Sequence, residues 1–172
     1  MRVNTPKIPS NKFKDRLYDH IKFREGYEET VYLDTEGKPT CGIGHLLSMQ
    51  EKEDFPVGTE IDPFKIKEWY MEDITAALAA CNKQAVLLGI EDEEFKISLT
   101  SVNFQLGTKW YRKFPKAWKA LCLKNYDEAI DQIVYRNKKE NKYSLWYTQT
   151  PVRVKDFVNT IKRIKGMKWL TN

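Results

Sequence analysis

The chain has 172 residues, of which 41% are hydrophobic and 13% aromatic, so an intrinsically disordered chain is excluded. Its net charge of +5 favours a polyanionic partner such as nucleic acid, an anionic membrane or a cell-wall polymer, although ordinary solubilising charge explains it equally well. No apolar run is long enough to cross a bilayer, and the first twenty residues lack the apolar stretch of a secretory signal peptide. We therefore expect no transmembrane segment and a cytoplasmic location at synthesis.

The first part of the chain predicts one helix followed by a small antiparallel sheet. Residues 1–9 read as an irregular arm, and Ser10 can cap a helix whose apolar residues recur at helical spacing. Gly26 takes the usual position after the helix end. Residues 30–33 form a β-prone run, and a turn-forming segment separates them from a second strand over 39–43. A hairpin or a three-stranded sheet is therefore expected between about residues 26 and 47.

Everything that follows predicts helices. Asp62, followed by proline, marks the start of a long helix that reaches about Cys81. Asp92 caps the next helix, which Gly107 ends. A polar loop insertion at 137–142 precedes an aromatic segment that is expected to belong to the core. Shorter helices are predicted at 115–123, 126–135 and 151–164. The fold class is therefore α+β, mostly helical with one small β element.

Two carboxyl groups near the end of the first helix lie in contrasting environments. Glu25 is at a helix C-terminus, where the helix dipole disfavours a negative charge and so favours the protonated acid. Asp34 is at a strand end or turn, a wetter place where a carboxylate stays ionised. Hydrolysis of a glycosidic bond requires two carboxyls whose pKa values are pushed apart in this way. With 24 acidic residues in the chain, a Glu and an Asp at this spacing are far more often two surface residues, so the spacing alone is a weak indication.

The wider pattern is more specific. Glu25 is followed after eight residues by Asp34, and after five more by Thr40, and Gly-Ile-Gly-His-Leu-Leu then occupies 42–47. Further matches in the same order are Asn103–Gly107, Tyr126–Ala129 and Trp146–Pro151. Together these motifs closely resemble the T4-type phage lysozymes, the endolysins and tail lysozymes of glycoside hydrolase family 24. The resemblance spans roughly residues 17 to 164.

The resemblance implies roles for eight residues. Glu25 matches the general acid, Asp34 the carboxylate that handles the attacking water, and Thr40 the hydroxyl that helps hold this water. The substrate-binding residues that it implies are Leu46, Phe104, Gln105, Thr150 and Arg153. A guanidinium from Arg153 would orient Glu25, but it would also lower the pKa of that carboxyl, against the helix-end effect, and the sequence leaves the balance open.

The resemblance also implies an architecture and an activity. It implies one domain over 10–172 that consists of two lobes. A small β-sheet lobe (about 26–60) is joined by the long helix to a helical lobe (about 82–172 plus the first helix). We expect a hinge motion at the ends of the long helix. The implied enzyme is an inverting muramidase that hydrolyses the β-1,4 bond between N-acetylmuramic acid and N-acetylglucosamine. We expect a monomer acting on bacterial peptidoglycan, with no nucleic-acid partner, no cofactor and no metal.

Two other functions remain open. A lytic transglycosylase on the same polymer would need the glutamate but not Asp34. A non-catalytic basic module that binds wall or nucleic acid would need neither, and the helix over 151–164 carries the basic residues for such a surface. For a phage endolysin, the expected location is the host cytoplasm until the membrane is permeabilised, after which the enzyme reaches the cell wall.

The chain departs from the family pattern in three places. The segment 47–62 is shorter than usual, Ala117 replaces a sugar-contacting serine, and the insertion at 137–142 lengthens a loop near the cleft.

Asp73 occupies the position of an acidic partner for His45, so we expect an ion pair between these two side chains. The three cysteines are widely spaced and suit reduced thiols better than disulfides or a zinc site.

Overall fold

The computed structural model of the chain describes residues 11–167. They divide into two compact units between Glu72 and Asp73, and each unit contains an apolar cluster of its own. The predicted arm over 1–9 and the predicted cap at Ser10 lie outside the described residues. The predicted lobe boundaries and the hinge stay predictions.

The first unit contains helix α1 (Asn11–Glu25), a three-stranded antiparallel sheet and a short helix α2 (Met49–Asp54). The sheet has the order β1-β2-β3, from β1 (Glu28–Leu33), β2 (Pro39–Gly42) and β3 (His45–Leu46). The predicted helix and antiparallel sheet are confirmed.

Local sequence signals account for the end of α1 and the start of α2. Gly26 has φ +85°, and its N–H donates to the Lys22 carbonyl oxygen at 2.9 Å, so it closes α1 in the conformation that glycine tolerates best. Helix α2 was not predicted. Ser48 and Glu51 form a reciprocal capping box at its start, which satisfies backbone N–H groups that a helix this short would otherwise leave unpaired.

The long helix α3 (Pro63–Leu88) begins in the first unit and continues into the second. Its predicted start is confirmed, and it runs seven residues beyond Cys81. The remaining helices are α4 (Glu93–Leu106), a 3-10 helix (Trp110–Arg112), α5 (Pro115–Cys122), α6 (Tyr126–Val134), α7 (Leu145–Gln149) and α8 (Pro151–Met167). Asp92 caps α4 by accepting the Phe95 N–H at 3.0 Å, and Gly107 ends it, as predicted.

The insertion between α6 and α7 corrects the sequence analysis. A loop was expected at 137–142, and residues 138–141 are a turn, but short strands that were not predicted flank it: β4 (Tyr135–Asn137) and β5 (Lys142–Tyr143) form an antiparallel hairpin. The rings of Tyr135 and Tyr143 stack at 5.3 Å, and Tyr143 stacks in turn on Tyr147 of α7 at 4.7 Å. The hairpin depends on this contact with a later helix, which strand propensity alone does not reveal.

The core of the second unit is aromatic and contains one polar network. Trp110 and Phe157 are fully buried and pack edge to face at 5.7 Å. The buried Gln84 side chain uses both ends of its amide: it donates to Asn103 and accepts from both Asn103 and the Trp110 indole. Trp146 is 5% exposed, which confirms its predicted place in the core. Among residues 11–167, no helix is long and apolar enough to span a membrane.

Candidate active site

The carboxylate of Asp34 is fixed by the turn that connects β1 to β2. Its Oδ1 atom accepts the backbone N–H groups of Glu36 and Lys38, each at 2.8 Å. Two further backbone bonds close the turn: the Asp34 N–H donates to the Lys38 carbonyl, and the Gly37 N–H donates to the Asp34 carbonyl. Oδ2 has no hydrogen-bond partner within residues 11–167. The turn thus sets the plane of the carboxylate with one oxygen and leaves the other available to a ligand.

Thr40 lies on the strand that returns from this turn. It is 3% exposed, and its hydroxyl donates to the Lys38 carbonyl oxygen at 3.0 Å. Because the hydroxyl proton is used in this bond, the lone pairs of Oγ1 remain free to accept a hydrogen bond, and nothing in the described part of the chain donates to them. A water molecule beside Thr40 would therefore be held as a donor.

Thr40 is also the centre of a row across the sheet. It pairs directly with Tyr32 of β1 on one side and with Leu46 of β3 on the other. Directly opposed residues of antiparallel strands present their side chains on the same face. Tyr32 is 37% exposed and Leu46 is 53% exposed, so the row offers an aromatic, a hydroxyl and an aliphatic group to a ligand.

Glu25 is the last residue of α1 and is half-buried. Its carboxylate lies next to the β2–β3 turn, because a Cβ atom on Gly44 would be only 3.6 Å from Glu25 Oε2. Gly44 has φ +71°, a conformation that favours glycine, so this residue permits the tight turn beside the acid. The structure therefore brings Glu25 to the same sheet that carries Asp34, Thr40 and Leu46.

His45, which follows this turn, contacts α2 and α3. Its ring stacks on Trp69 at 4.6 Å, and its Nε2 atom lies 3.2 Å from Glu51 Oε2. Glu51 also accepts the Ser48 N–H at 2.7 Å, so the strand and the helix cap share one carboxylate. This partner was not predicted. The expected pair of His45 with Asp73 stays a prediction.

The other predicted residues belong to the second unit. Gln105 donates to the Thr150 hydroxyl at 3.1 Å and accepts the Trp146 indole N–H at 3.1 Å, so it joins α4, α7 and the start of α8. Phe104 precedes it on α4, and Arg153 lies in the first turn of α8; both are half-buried. The structure thus brings Gln105 and Thr150 together. Their predicted contacts with Glu25 or with substrate stay predictions.

The second unit also holds a pocket of about 400 Å³, and Ala117 lines it. Its basic residues are Lys113, Lys116 and Arg136, and its aromatic residues are Phe114, Tyr135 and Trp146. Ala117 itself is fully buried, and the loss of a sugar contact at this position stays a prediction.

One residue of the candidate site was missed by sequence reasoning. Tyr32 lies two residues before Asp34 and directly opposite Thr40. Burial raises the pKa of its phenol above the ordinary value of 10, and the negative charges of Asp34 and Glu25 raise it further. The signal was present in the predicted hairpin, since a turn over 34–38 places residue 32 across from residue 40. Among residues 11–167, no group of three or more His, Cys, Asp or Glu side chains is arranged to hold a metal ion.

Comparison with known proteins identifies the family. The chain is 31% identical over 134 residues to "Peptidoglycan hydrolase gp36" of Pseudomonas phage phiKMV, which covers 78% of this chain but 14% of that protein. It is 27% identical over 157 residues to "Probable T4-type lysozyme 2" of Dictyostelium discoideum, covering 80% of this chain and 88% of that one. It is 28% identical over 156 residues to "Pre-baseplate central spike protein Gp5" of Enterobacteria phage T4, of which it covers 26%.

The chain therefore spans a small part of both phage proteins and nearly the whole length of the Dictyostelium protein. The sequence profile of one family, phage lysozyme, matches residues 22–146. This match contains the sheet with Glu25, Asp34 and Thr40, and it extends through the long helix to Trp146. The chain belongs to the phage lysozyme family.

Proposed function

We propose that the chain is a muramidase that hydrolyses the β-1,4 bond between N-acetylmuramic acid and N-acetylglucosamine in bacterial peptidoglycan. The observation that carries the proposal is the hydrogen-bonding state of Asp34 and Thr40. Asp34 Oδ2 and the lone pairs of Thr40 Oγ1 lack partners in the described part of the chain. The turn between β1 and β2 orients both side chains. A water molecule has two hydrogens, one for each of these two acceptors.

In this mechanism Glu25 is the general acid. Its proton passes to the glycosidic oxygen, and the bond from that oxygen to the anomeric carbon breaks. Water held between Asp34 and Thr40 forms the new bond to the same carbon, and its proton goes to Asp34 Oδ2. The water attacks from the side opposite to the leaving oxygen, so the anomeric configuration inverts. Room for the water requires the two carboxyls to be about 6.5–9.5 Å apart.

Charge distribution along the chain supports an anionic polymer as substrate. Residues 73–172 contain 18 Lys and Arg against 10 Asp and Glu, a net charge of +8, whereas residues 1–72 contain 11 against 14, a net charge of −3. Peptidoglycan carries carboxylates on its peptides, and the basic residues lining the pocket around Ala117 suit such groups. The carboxylates that perform the chemistry thus belong to the unit with a net negative charge.

The biological role in this proposal is that of a phage endolysin, collected in the host cytoplasm and acting on the wall after membrane permeabilisation. Similarity to a protein named as a peptidoglycan hydrolase of a phage supports the activity. Similarity to a central spike protein makes a tail-associated lysozyme the alternative setting for the same chemistry.

The activity is tested by clearing of permeabilised Gram-negative cells. The wild-type chain should lower the turbidity, Glu25→Gln should abolish this, and Asp34→Asn should reduce it strongly, all with unchanged thermal unfolding. Glu36→Gln is the matched control, since Glu36 is an exposed acid of the same turn that pairs only with Lys38 in the described residues.

Analysis of the products separates the related reactions. A hydrolase releases reducing ends, whereas a transglycosylase releases anhydro ends, so anhydro products with an active Asp34→Asn variant would replace this proposal by the second reaction. Retained configuration in the first-formed product, followed by NMR, would contradict the inverting mechanism. Binding to the wall without any clearing would instead indicate a non-catalytic module.

A further inference from the structure

The hydroxyl of Tyr32 is a polar group of the site that the mechanism above leaves unused. Tyr32 stands directly opposite Thr40 in the β1–β2 pairing, and Asp34 follows it by two residues. The side chain is 37% exposed, and its hydroxyl makes no hydrogen bond within residues 11–167.

The surroundings of Tyr32 keep its phenol neutral. Three carboxylates are near it, those of Glu25, Glu28 and Asp34, and their charges together with burial raise its pKa above the ordinary value of 10. The phenol therefore stays protonated at neutral pH and is a hydrogen-bond donor there. Neither Asp34 Oδ2 nor the Tyr32 hydroxyl uses the other as a partner, so both remain available to a third molecule.

We propose that Tyr32 is a substrate-contacting residue, whose hydroxyl donates a hydrogen bond to an oxygen of the sugar held beside Asp34 and Thr40. This inference rests on the proposed function, because it takes the sugar at the cleaved bond as the ligand. A sugar presents hydroxyl and acetamido oxygens as acceptors. Asp34 Oδ2 and the free lone pairs of Thr40 are themselves acceptors, so a donor is the group that this side of the site lacks.

The row across the sheet gives the contact its geometry. Cβ atoms of directly opposed residues lie about 4.5–5.5 Å apart, so Tyr32, Thr40 and Leu46 span about 10 Å. This distance suits one sugar ring and its substituents. In this arrangement the water lies over the buried Thr40, the sugar ring lies across Leu46, and the longer Tyr32 side chain reaches over the carboxylate side of the row.

The test compares Tyr32→Phe with the wild-type chain, because the phenylalanine keeps the ring and removes only the hydroxyl. We expect kcat/KM for peptidoglycan to fall about tenfold, the value of one neutral hydrogen bond to substrate, with an unchanged thermal midpoint. Tyr27→Phe is the control: it makes the same change in a tyrosine outside the row, whose ring lies under the Lys22 ammonium at 4.2 Å. It should leave kcat/KM unchanged.

A binding measurement makes the result independent of turnover. In the Glu25→Gln background, calorimetry with a purified tetrasaccharide of alternating N-acetylglucosamine and N-acetylmuramic acid should give a Kd about tenfold higher when Tyr32→Phe is added. Equal Kd values, or no detectable binding by either protein, would overturn the role of Tyr32. Full activity of Glu25→Gln would instead refute the proposed mechanism, and the comparison of kcat/KM between Tyr32→Phe and the wild-type chain would then decide on Tyr32.

Discussion

At acidic pH, the stability of the first unit should depend more clearly on the ionisation of Glu51 than on that of any other residue. Burial acts to raise the pKa of this carboxyl. Hydrogen bonds from the Ser48 backbone N–H and hydroxyl, and the interaction with His45, outweigh it and lower the pKa from 4.5 to about 2. Replacing Glu51 by glutamine keeps the shape of the side chain and removes the charge. The replacement therefore isolates what ionisation contributes to the helix cap and to the contact with His45.

The magnitude follows from the two pKa values. A carboxyl with a folded pKa of about 2 and an unfolded pKa of 4.5 stabilises the folded state by at most about 3 kcal/mol at pH values above 4.5. Since 22% of the side chain is exposed, solvent screening reduces the expected value to about 1–2 kcal/mol. Because the folded pKa is depressed, this stability is complete above pH 4.5 and is lost as the pH falls to 2.

The assay is urea unfolding between pH 2 and 6, followed by the fluorescence of the tryptophans. The wild-type chain should lose about 1–2 kcal/mol more than Glu51→Gln between pH 5 and 2. Glu53→Gln is the control on the same helix, because Glu53 is exposed and makes no hydrogen bond or ion pair within the described residues. Parallel pH curves for the wild type and Glu51→Gln would refute the reasoning.

Three further substitutions test other parts of the structure. Thr40→Val should lower kcat about a hundredfold, whereas Thr40→Ser, which keeps the hydroxyl, should stay within about tenfold of the wild type in the same clearing assay. Gly42→Ala should cost at least about 2 kcal/mol of unfolding free energy, because φ is +64° and the new Cβ would lie 2.8 Å from Ile66 Cγ2. Adding Ile66→Leu removes that methyl group and should restore part of the lost stability. If it restores none, the clash is not the cause of the loss. Gln84→Leu should cost about 2–4 kcal/mol in chemical denaturation, because the buried amide of Asn103 loses its partner, and a change below about 1 kcal/mol would show that the network is dispensable.

The sequence was most informative where one local signal decides the structure. Gly26 and Gly107 mark the ends of helices, and Asp92 and the proline after Asp62 mark the starts of helices; the structure has all four where they were predicted. Each of these residues acts through its own backbone geometry or through a hydrogen bond within one turn of chain. Their effect is therefore readable without knowledge of the fold.

Features that depend on distant partners were not predictable in the same way. The hairpin of β4 and β5 has strands of three and two residues, too short to show alternation, and it is supported by stacking of Tyr143 on Tyr147. Gln84 reads as an ordinary polar position of a long helix, but the fold buries it against Asn103 and Trp110. In both cases tertiary contacts, absent from the local sequence, decide the outcome.

The spacing of the three residues expected to be catalytic has a physical explanation in this fold. The eight residues between Glu25 and Asp34 are the helix-ending Gly26, Tyr27 and the six residues of β1, which carry the chain away from α1. The five residues before Thr40 form the turn whose N–H groups bind Asp34 and the start of the return strand. Side chains alternate between the faces of a strand, so inserting one residue after the turn would move the hydroxyl to the opposite face from Tyr32. A turn that both orients the carboxylate and sets the register thus explains why this pattern of residues is so informative, although its members are common amino acids.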